Sequence, residues 1–204
     1  MRSIHDVELE GKRVLLRCDL NVPFKEGSIQ DDFRIEQSVP TIQHISEHGG
    51  RCIVLAHLGR PTPIFSPYGG SPAGRQIPNE FSLEPIAARL QELVGKEVRF
   101  IADPIGEKVQ NQIGEMRPGE VALLENIRFY KGEEENDLAF AKKLAELGDL
   151  YVNDAFGACH RAHASIVGIT KFLPSAAGLL LEKETTVLER IRENPERPMV
   201  VVVG

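Results

Sequence analysis

The sequence lacks several features that would assign a function at once. Its 204 residues contain three cysteines, Cys18, Cys52 and Cys159, with no C-x-x-C pair, so neither a disulfide framework nor a cysteine zinc site is indicated. No apolar stretch approaches the roughly 18 residues of a membrane-spanning helix, and no basic and then apolar leader opens the chain. We therefore expect a cytoplasmic protein with reduced thiols and no membrane partner.

The charge balance and two missing motifs narrow the class of ligand. Lys plus Arg is 24 and Asp plus Glu is 30, which gives a net charge of −6 and disfavours binding to a nucleic-acid backbone. There is no Gly-Lys-Ser/Thr segment and no G-x-G-x-x-G after a strand. His160 and His163 have the spacing of a metal pair but no obvious third ligand, so we predict no metal site.

Apolar runs alternate with helical periodicity along the whole chain. The predicted strands cover 12–17, 51–56, 98–101, 121–124, 150–152 and 199–203, and the predicted helices cover about 35–48, 82–95, 105–116, 138–147, 163–172 and 179–191. We expect the first helix to become regular near Ser38, with Pro40 in its first turn. Strands that are apolar throughout are typical of parallel sheets covered on both faces. The sequence thus predicts an α/β fold, a three-layer Rossmann-like domain over residues 1–204 with a mostly parallel six-stranded sheet.

One long connection interrupts this pattern. Residues 61–81 contain five prolines and three glycines and little that could pack. Such a length is unusual in this class of fold, where connections of about two to six residues are common. A lid and a surface insertion both remain open for this segment.

Polar side chains follow four of the predicted strands, at the point where each strand ends. They are Arg17, Asp19 and Asn21, then His57 and Arg60, then Asn126 and Arg128, then Asn153 and Asp154, with Arg34, His160, Arg161 and His163 further along the loops. Ligands of open parallel sheets bind outside the carboxyl ends of the strands. Because arginine pairs bidentately with phosphate or carboxylate, this set predicts a site for a small, multiply charged anion. Asp19 and Asn21 suit a hydroxyl.

Each of these residues has a structural alternative. A single arginine after a strand is commonly solvated or ion-paired, and Asp154 could cap a turn. We interpret Glu133, Glu134 and Glu135 as a solvated run with no role in the site. A stand-alone phosphosugar enzyme would need an acid–base pair, for which only His57 and Asp154 are available.

Six stretches together carry a specific resemblance. They are RCDLNVPF, DDFRIEQSVPTI, LAHLGRP, LLENIRFYKGEEEND, YVNDAFGACHRAHAS and GLLLEKE. In this order they closely resemble the phosphoglycerate kinase family, from about residue 4 to 204, which corresponds to the amino-terminal half of that enzyme. The resemblance implies a glycolytic kinase that transfers a phosphoryl group reversibly between 1,3-bisphosphoglycerate with MgADP and 3-phosphoglycerate with MgATP.

The resemblance also implies roles for individual residues. Arg34 matches the family's catalytic arginine near the transferred group. The implied substrate-binding residues are Asp19, Asn21, Arg34, His57, Leu58, Gly59, Arg60, Arg128 and Arg161, with Arg17 and His160 lining the same basic patch. Asp19 and Asn21 would hold the hydroxyacid part of 3-phosphoglycerate. The basic residues would hold its phosphate.

The family pattern continues beyond this sequence. It implies a monomer with a C-terminal nucleotide-binding domain in the same chain, which holds Mg²⁺ with ATP or ADP. We therefore expect these 204 residues to bind the acid substrate weakly, to bind no cofactor and to lack turnover alone. A non-catalytic phospho-ligand binding protein derived from the same fold is the alternative.

Overall fold

A single parallel sheet organises the chain. The structure is a computed structural model that describes residues 1–25, 27–64, 79–200 and 202. Its strands are β1 (Arg13–Arg17), β2 (Phe24–Lys25), β3 (Ser28–Ile29), β4 (Arg51–Leu55), β5 (Val98–Ile101), β6 (Val121–Leu124), β7 (Leu150–Asn153) and β8 (Ser175–Ala177). Six of them form an all-parallel sheet in the order β5-β6-β4-β1-β7-β8, while β2 and β3 form a small antiparallel hairpin. The predicted six-stranded α/β sheet is confirmed.

Helices cover both faces of this sheet. They are α1 (Phe33–Glu47), α2 (Glu84–Val94), α3 (Glu107–Gly114), α4 (Lys131–Glu134), α5 (Leu138–Ala145) and α6 (Leu179–Glu193). Between α5 and β8 the chain also forms a turn of π-helix, Ala164–Gly168, and a 3₁₀ turn, Ile169–Lys171, within the helical stretch predicted for 163–172. Apart from the β2–β3 hairpin and the short α4, which the sequence analysis did not predict, the described helices and strands alternate as expected.

The core lies in two layers because successive strand residues point to opposite faces. Leu16 and Val54 are aligned across β1 and β4 and pack on one face with residues of α1 and α2. Leu15 and Ile53 pack on the other face with residues of α3 and α5. The central strands are buried on both faces, which explains why they are apolar throughout instead of alternating.

Two predictions about elements are wrong. The sixth strand is Ser175–Ala177, which pairs with β7 through Ala177 and Asn153, and not the run at 199–203. Met199 and Val200 belong to no strand and are 47% and 86% exposed, while 201, 203 and 204 lie outside the described residues. A run of β-branched residues indicates strand propensity, but a strand also needs a neighbour to pair with, and the place beside β7 is taken by β8.

The first helix starts earlier than predicted. It begins at Phe33, and Pro40 lies in its interior instead of its first turn. The helix tolerates this proline because Pro40 and Glu36 are both exposed, so water can bind the Glu36 carbonyl that lacks an amide donor.

The segment at 61–81, predicted to be a lid or an insertion, is described only in part. Its residues 65–78 lie outside the described residues. Among the described helices, none has the length and hydrophobicity needed to cross a membrane.

Candidate functional site

The sheet order gathers the polar loops at one edge. β1 lies between β4 and β7, and β6 lies next to β4, so the carboxyl ends of these four strands are adjacent. From β1, the next sheet strand in sequence, β4, lies on one side, whereas the later strands β7 and β8 lie on the other side. The strand order therefore reverses next to β1, and parallel α/β sheets open a crevice for ligands at such a point.

Arg17 and His57 form the buried centre of this edge. Arg17 ends β1 and is 1% exposed, and His57, just beyond β4, is 5% exposed. Arg17 donates from Nε to the Ser165 hydroxyl at 2.9 Å and from Nη2 to His57 Nδ1 at 3.0 Å, and its Nη1 donates to the Cys18 carbonyl. Three acceptors from three loops are therefore fixed around one guanidinium group.

Positive charge accumulates around this centre. Burial and the neighbouring charges of Arg17, Arg128, Arg161 and His163 lower the pKa of His57 to about 2. Burial, together with the charges of Arg161 and Arg17, lowers the pKa of Arg128. Buried like charges of this kind are costly to fold, so they mark a place where an anion would be favourable.

Arg128 is held in place but its charge is only partly matched. It is 4% exposed, and its Nη1 donates to the Gly59 carbonyl at 2.6 Å. Its Nε lies 3.4 Å from Glu134 Oε1, yet this buried nitrogen has no hydrogen-bond partner in the described part of the chain. Arg161 is half-buried, and its Nε lies 3.3 Å from Nε2 of the exposed His160.

A second group of residues lies beside the basic centre. Arg34, in the first turn of α1, donates from Nη1 to Asp19 Oδ2 at 2.6 Å, and about half of its side chain is exposed. Asn21 accepts at Oδ1 from the Gly59 amide at 2.8 Å. Two clefts of 500 and 460 Å³ border Arg34. Asp19 lines the first of these clefts, Asn21 lines the second, and Phe33 lines both.

Gly59 connects the two groups. Its amide donates to Asn21 and its carbonyl accepts from Arg128, so it joins the loops that follow β1, β4 and β6. Its φ is +61°, and a Cβ at this position would lie 2.7 Å from the Phe81 ring. Only glycine satisfies both conditions without strain. The neighbouring Leu58 is buried, and its carbonyl accepts from Asn126 at 2.8 Å.

Three of the predicted polar residues make hydrogen bonds that support the loops and helices around the site. Asn126 donates to the carbonyls of Leu58 and Phe81 and caps the following turn. Asn153 accepts from the Ala155 amide at 3.0 Å. Asp154 is buried, and its Oδ1 accepts from the first-turn amides of α6, Leu180 at 2.9 Å and Leu181 at 3.1 Å.

These contacts also bear on acid–base chemistry. His57 gives its Nδ1 lone pair to Arg17, and its lowered pKa leaves it a very weak base. Asp154 is committed to α6. A stand-alone phosphosugar enzyme would depend on this pair, in which His57 Nδ1 and Asp154 Oδ1 are engaged in structural contacts. Arg60 follows Gly59 and is exposed.

The prediction that all three glutamates of the run at 133–135 are solvated is wrong for Glu133. This residue is 0% exposed and accepts from the Ser165 hydroxyl at 2.6 Å and the Ser165 amide at 2.9 Å. Burial alone would raise the pKa of Glu133, but His163, the charge of Arg17 and Ser165 together hold it below its ordinary value. Only one glutamate of the run turns inward, and the composition of the run does not indicate which one. Ser165 is a further residue that the sequence analysis missed.

The described residues do not fit a magnesium site. Asp19 binds Arg34, Asp154 binds α6 and Glu133 binds Ser165. Within the described ranges no three His, Cys, Asp or Glu side chains are placed to hold a metal ion. Hard cations such as Mg²⁺ need several free oxygen ligands, which this edge of the sheet does not offer.

Comparison with known proteins identifies the family. A family model described as phosphoglycerate kinase matches residues 4–204. The chain belongs to the phosphoglycerate kinase family. It is 52% identical over 194 residues to the phosphoglycerate kinase of Borreliella burgdorferi, covering 95% of this chain and 46% of the relative. It is also 52% identical over 202 residues to that of Thermosipho africanus, covering 99% of this chain and 47% of the relative.

Solved structures of phosphoglycerate kinases share the fold. The structure from Coxiella burnetii matches with a TM-score of 0.81 and 39% identity, covering 96% of this chain and 46% of that one. The structure from Pyrococcus horikoshii matches with a TM-score of 0.83 and 34% identity, covering 97% and 47%. The chain thus spans about half the length of the phosphoglycerate kinases it matches. The family resemblance stated from the sequence is confirmed.

Proposed function

We propose that this chain is the 3-phosphoglycerate-binding half of a phosphoglycerate kinase. The complete protein would transfer a phosphoryl group reversibly between 1,3-bisphosphoglycerate with MgADP and 3-phosphoglycerate with MgATP. The observation that carries the proposal is the incompletely matched positive charge of Arg17, Arg128 and Arg161 at the carboxyl edge of the sheet. A phosphate group would supply the missing negative charge and the hydrogen-bond acceptors.

The remaining residues of the site suit the rest of that substrate. Asn21 and Asp19 lie beside the basic centre and carry the acceptor oxygens that a hydroxyl needs. Arg34 has an exposed guanidinium next to Asp19, where a carboxylate or acyl phosphate could bind it. Arg60 and His160 are exposed near the same loops and are proposed to complete the phosphate contacts.

The chemistry requires little acid–base catalysis. The acceptor is a carboxylate, which is ionised at neutral pH, so attack on a phosphoryl group needs no general base. Rate then depends on positioning and on neutralising the charge of the transferred group. Arg34 is the residue we assign to that second task. MgATP or MgADP would be held by the C-terminal half of the complete protein, because the described residues here do not fit a magnesium site.

Calorimetry of the 204-residue chain tests the binding role directly. We expect 3-phosphoglycerate to bind, and to bind more weakly as salt is raised, because the contacts are charge-assisted. MgATP should give no binding heat in a parallel titration. Tight binding of MgATP, or no binding of 3-phosphoglycerate at low salt, would contradict the proposal for this half.

A pair of arginine variants makes the titration specific to the site. Arg161→Ala should weaken 3-phosphoglycerate binding at least tenfold, the effect of losing one charge-assisted hydrogen bond. Arg99→Ala is the control, because Arg99 is also half-buried but lies at the start of β5 and pairs with Glu120 at 3.7 Å. Equal losses in the two variants would show a general effect of charge and not a site.

A further inference from the structure

The contact between Arg17 and His57 determines which nitrogen of the histidine carries a proton. Arg17 Nη2 and His57 Nδ1 are 3.0 Å apart and both are buried. A guanidinium group can only donate, so Nδ1 must be the acceptor and must carry no proton. The proton of the neutral ring is then on Nε2, on the opposite side of the ring from Arg17.

Glu133 and Ser165 hold Arg17 in the position that this contact needs. The Ser165 hydroxyl donates to Glu133 Oε1 at 2.6 Å and accepts from Arg17 Nε at 2.9 Å. The Ser165 amide donates to Glu133 Oε2 at 2.9 Å, so both carboxylate oxygens are fixed. The serine hydroxyl has one proton, and since it is given to Glu133, its lone pair must face Arg17.

We propose that buried Glu133, acting through Ser165 and Arg17, holds His57 as a neutral ring protonated on Nε2, so that His57 serves the site as a hydrogen-bond donor and not as a cation. Glu133, Ser165 and Arg17 are then positioning residues. The inference deepens the proposed function and rests on it for the identity of the ligand, but the state of His57 does not depend on any ligand.

The electrostatic surroundings of His57 agree with this assignment. The charged or titratable groups that act on it are Arg17, Arg128, Arg161 and His163, and all four oppose a further positive charge on the ring. The negative charge of Glu133 is stabilised by His163, Arg17 and Ser165. His163 Nδ1 lies 3.7 Å from Glu133 Oε1, whereas the contacts that connect Glu133 to His57 run through Ser165 and Arg17.

Nitrogen NMR of the histidine-labelled chain tests the proposal without a ligand. The chain has six histidines, and the His57 signals are assigned by their loss in His57→Gln. Between pH 7.5 and 5.5 we expect His57 to show one protonated and one unprotonated nitrogen, with the proton on Nε2 and no titration. An imidazolium signal, or a proton on Nδ1, would overturn the proposal.

The role of the serine is tested by a matched pair of substitutions. In Ser165→Ala the Arg17 Nε loses its acceptor, so the two nitrogen signals of His57 should move toward each other as both tautomers become populated. Ser46→Ala removes another buried serine hydroxyl, which binds the Gly119 carbonyl at the opposite edge, and should leave His57 unchanged. An unchanged His57 spectrum in folded Ser165→Ala would remove Glu133 and Ser165 from this role.

A ligand titration distinguishes whether His57 acts on the ligand as a neutral hydrogen-bond donor or as a cation. With 3-phosphoglycerate as the probe, His57→Gln should retain affinity within about threefold because its amide can donate, while His57→Ala should lose about tenfold or more. Equal losses in both variants would contradict the donor role. Failure of the unsubstituted chain to bind the probe would count against the proposed function, while the ligand-free NMR result would still decide the state of His57.

Discussion

The two edges of the sheet contain similar arginines in opposite states. At the edge where the strands begin, Arg13 binds both oxygens of Asp149, with Nη2 to Oδ1 at 2.7 Å, and Arg117 binds Glu120 at 2.8 Å. At the edge where the strands end, Arg17 binds a serine, a carbonyl and a histidine. Arg13 and Arg117 at the first edge are therefore matched by carboxylates, whereas Arg17 at the second edge makes no direct hydrogen bond to a carboxylate among the described residues.

This difference distinguishes an arginine in a surface ion pair from a buried arginine without a carboxylate partner, which is the kind that we propose binds a ligand. A matched surface pair costs little to form and adds little, since exposed ion pairs contribute about 0–1 kcal/mol. Buried arginines that face each other disfavour folding and are kept only by compensating contacts or by a ligand. The number of arginines in the sequence does not distinguish these two cases, whereas the hydrogen-bond partner of each guanidinium group does.

The largest expected effect is on turnover and concerns Arg34. In the complete protein, Arg34→Ala should lower kcat a hundredfold or more, because it removes the positive charge proposed to stabilise the transferred group. The measurement is steady-state kinetics with 3-phosphoglycerate and MgATP. Arg117→Ala removes an exposed, carboxylate-paired arginine from the opposite edge and should leave kcat within twofold. Near-normal turnover of Arg34→Ala in a folded protein would exclude the assigned role.

The next effect is on the pH dependence of stability and arises from His57. Its pKa is about 2 in the folded chain and near 6.5 when unfolded, so the unfolded state binds the extra proton and stability falls as pH drops below about 6.5. Between pH 7.5 and 5.5 this loss should be about 1.4 kcal/mol in urea unfolding. The pH dependence should be smaller by that amount in His57→Gln.

The ion pair between Arg13 and Asp149 at the opposite edge should not contribute to the pH dependence of stability over the same range. Asp149 has its pKa lowered, mainly by the hydrogen bond from Arg13, so the stability it adds is lost only as pH falls below the ordinary carboxylate range. Replacing Asp149 with Asn should therefore leave the slope between pH 7.5 and 5.5 unchanged. If it reduced that slope as much as His57→Gln does, the proposed difference between the edges would be wrong.

The smallest effect is on stability alone and concerns Arg13. Arg13→Ala removes the contacts with Asp149 and the Glu146 carbonyl, and since both partners of the ion pair are about one-third exposed, we expect a loss of about 1 kcal/mol. Denaturant unfolding measures this loss. Calorimetry of the same variant should give an unchanged Kd for 3-phosphoglycerate. A weaker Kd would show that the two edges are coupled.

Of the strands in the six-stranded sheet, the sequence predicts β1, β4, β5, β6 and β7 and misses β8. β1, β4 and β6 are apolar because both of their faces are buried, and burial is what an apolar run reports. β8 contains only Ser175, Ala176 and Ala177, which carry little hydrophobic signal. Its pairing with β7 depends on tertiary contacts that no local pattern contains.

For the candidate site, too, local sequence patterns predict some features, while features that depend on tertiary contacts are missed. The sequence places Arg17, His57 and Arg128 at one edge because each follows an apolar run that becomes a parallel strand. It does not show that Arg17 is buried, or that Glu133 turns inward to Ser165, since burial of a charged side chain depends on a partner distant in the chain. The position of these residues at one edge of the sheet is therefore predictable here, and their supporting contacts are not.

Gly59 limits how this protein can be engineered. Its amide and carbonyl connect Asn21 to Arg128, so the loops after β1, β4 and β6 are joined through a single residue. Loops on parallel sheets are often treated as interchangeable modules on an inert scaffold. Here a graft that replaced residues 57–60 alone would break the register of the other two loops. A redesign of ligand specificity at this edge would therefore have to change the loops after β1, β4 and β6 together.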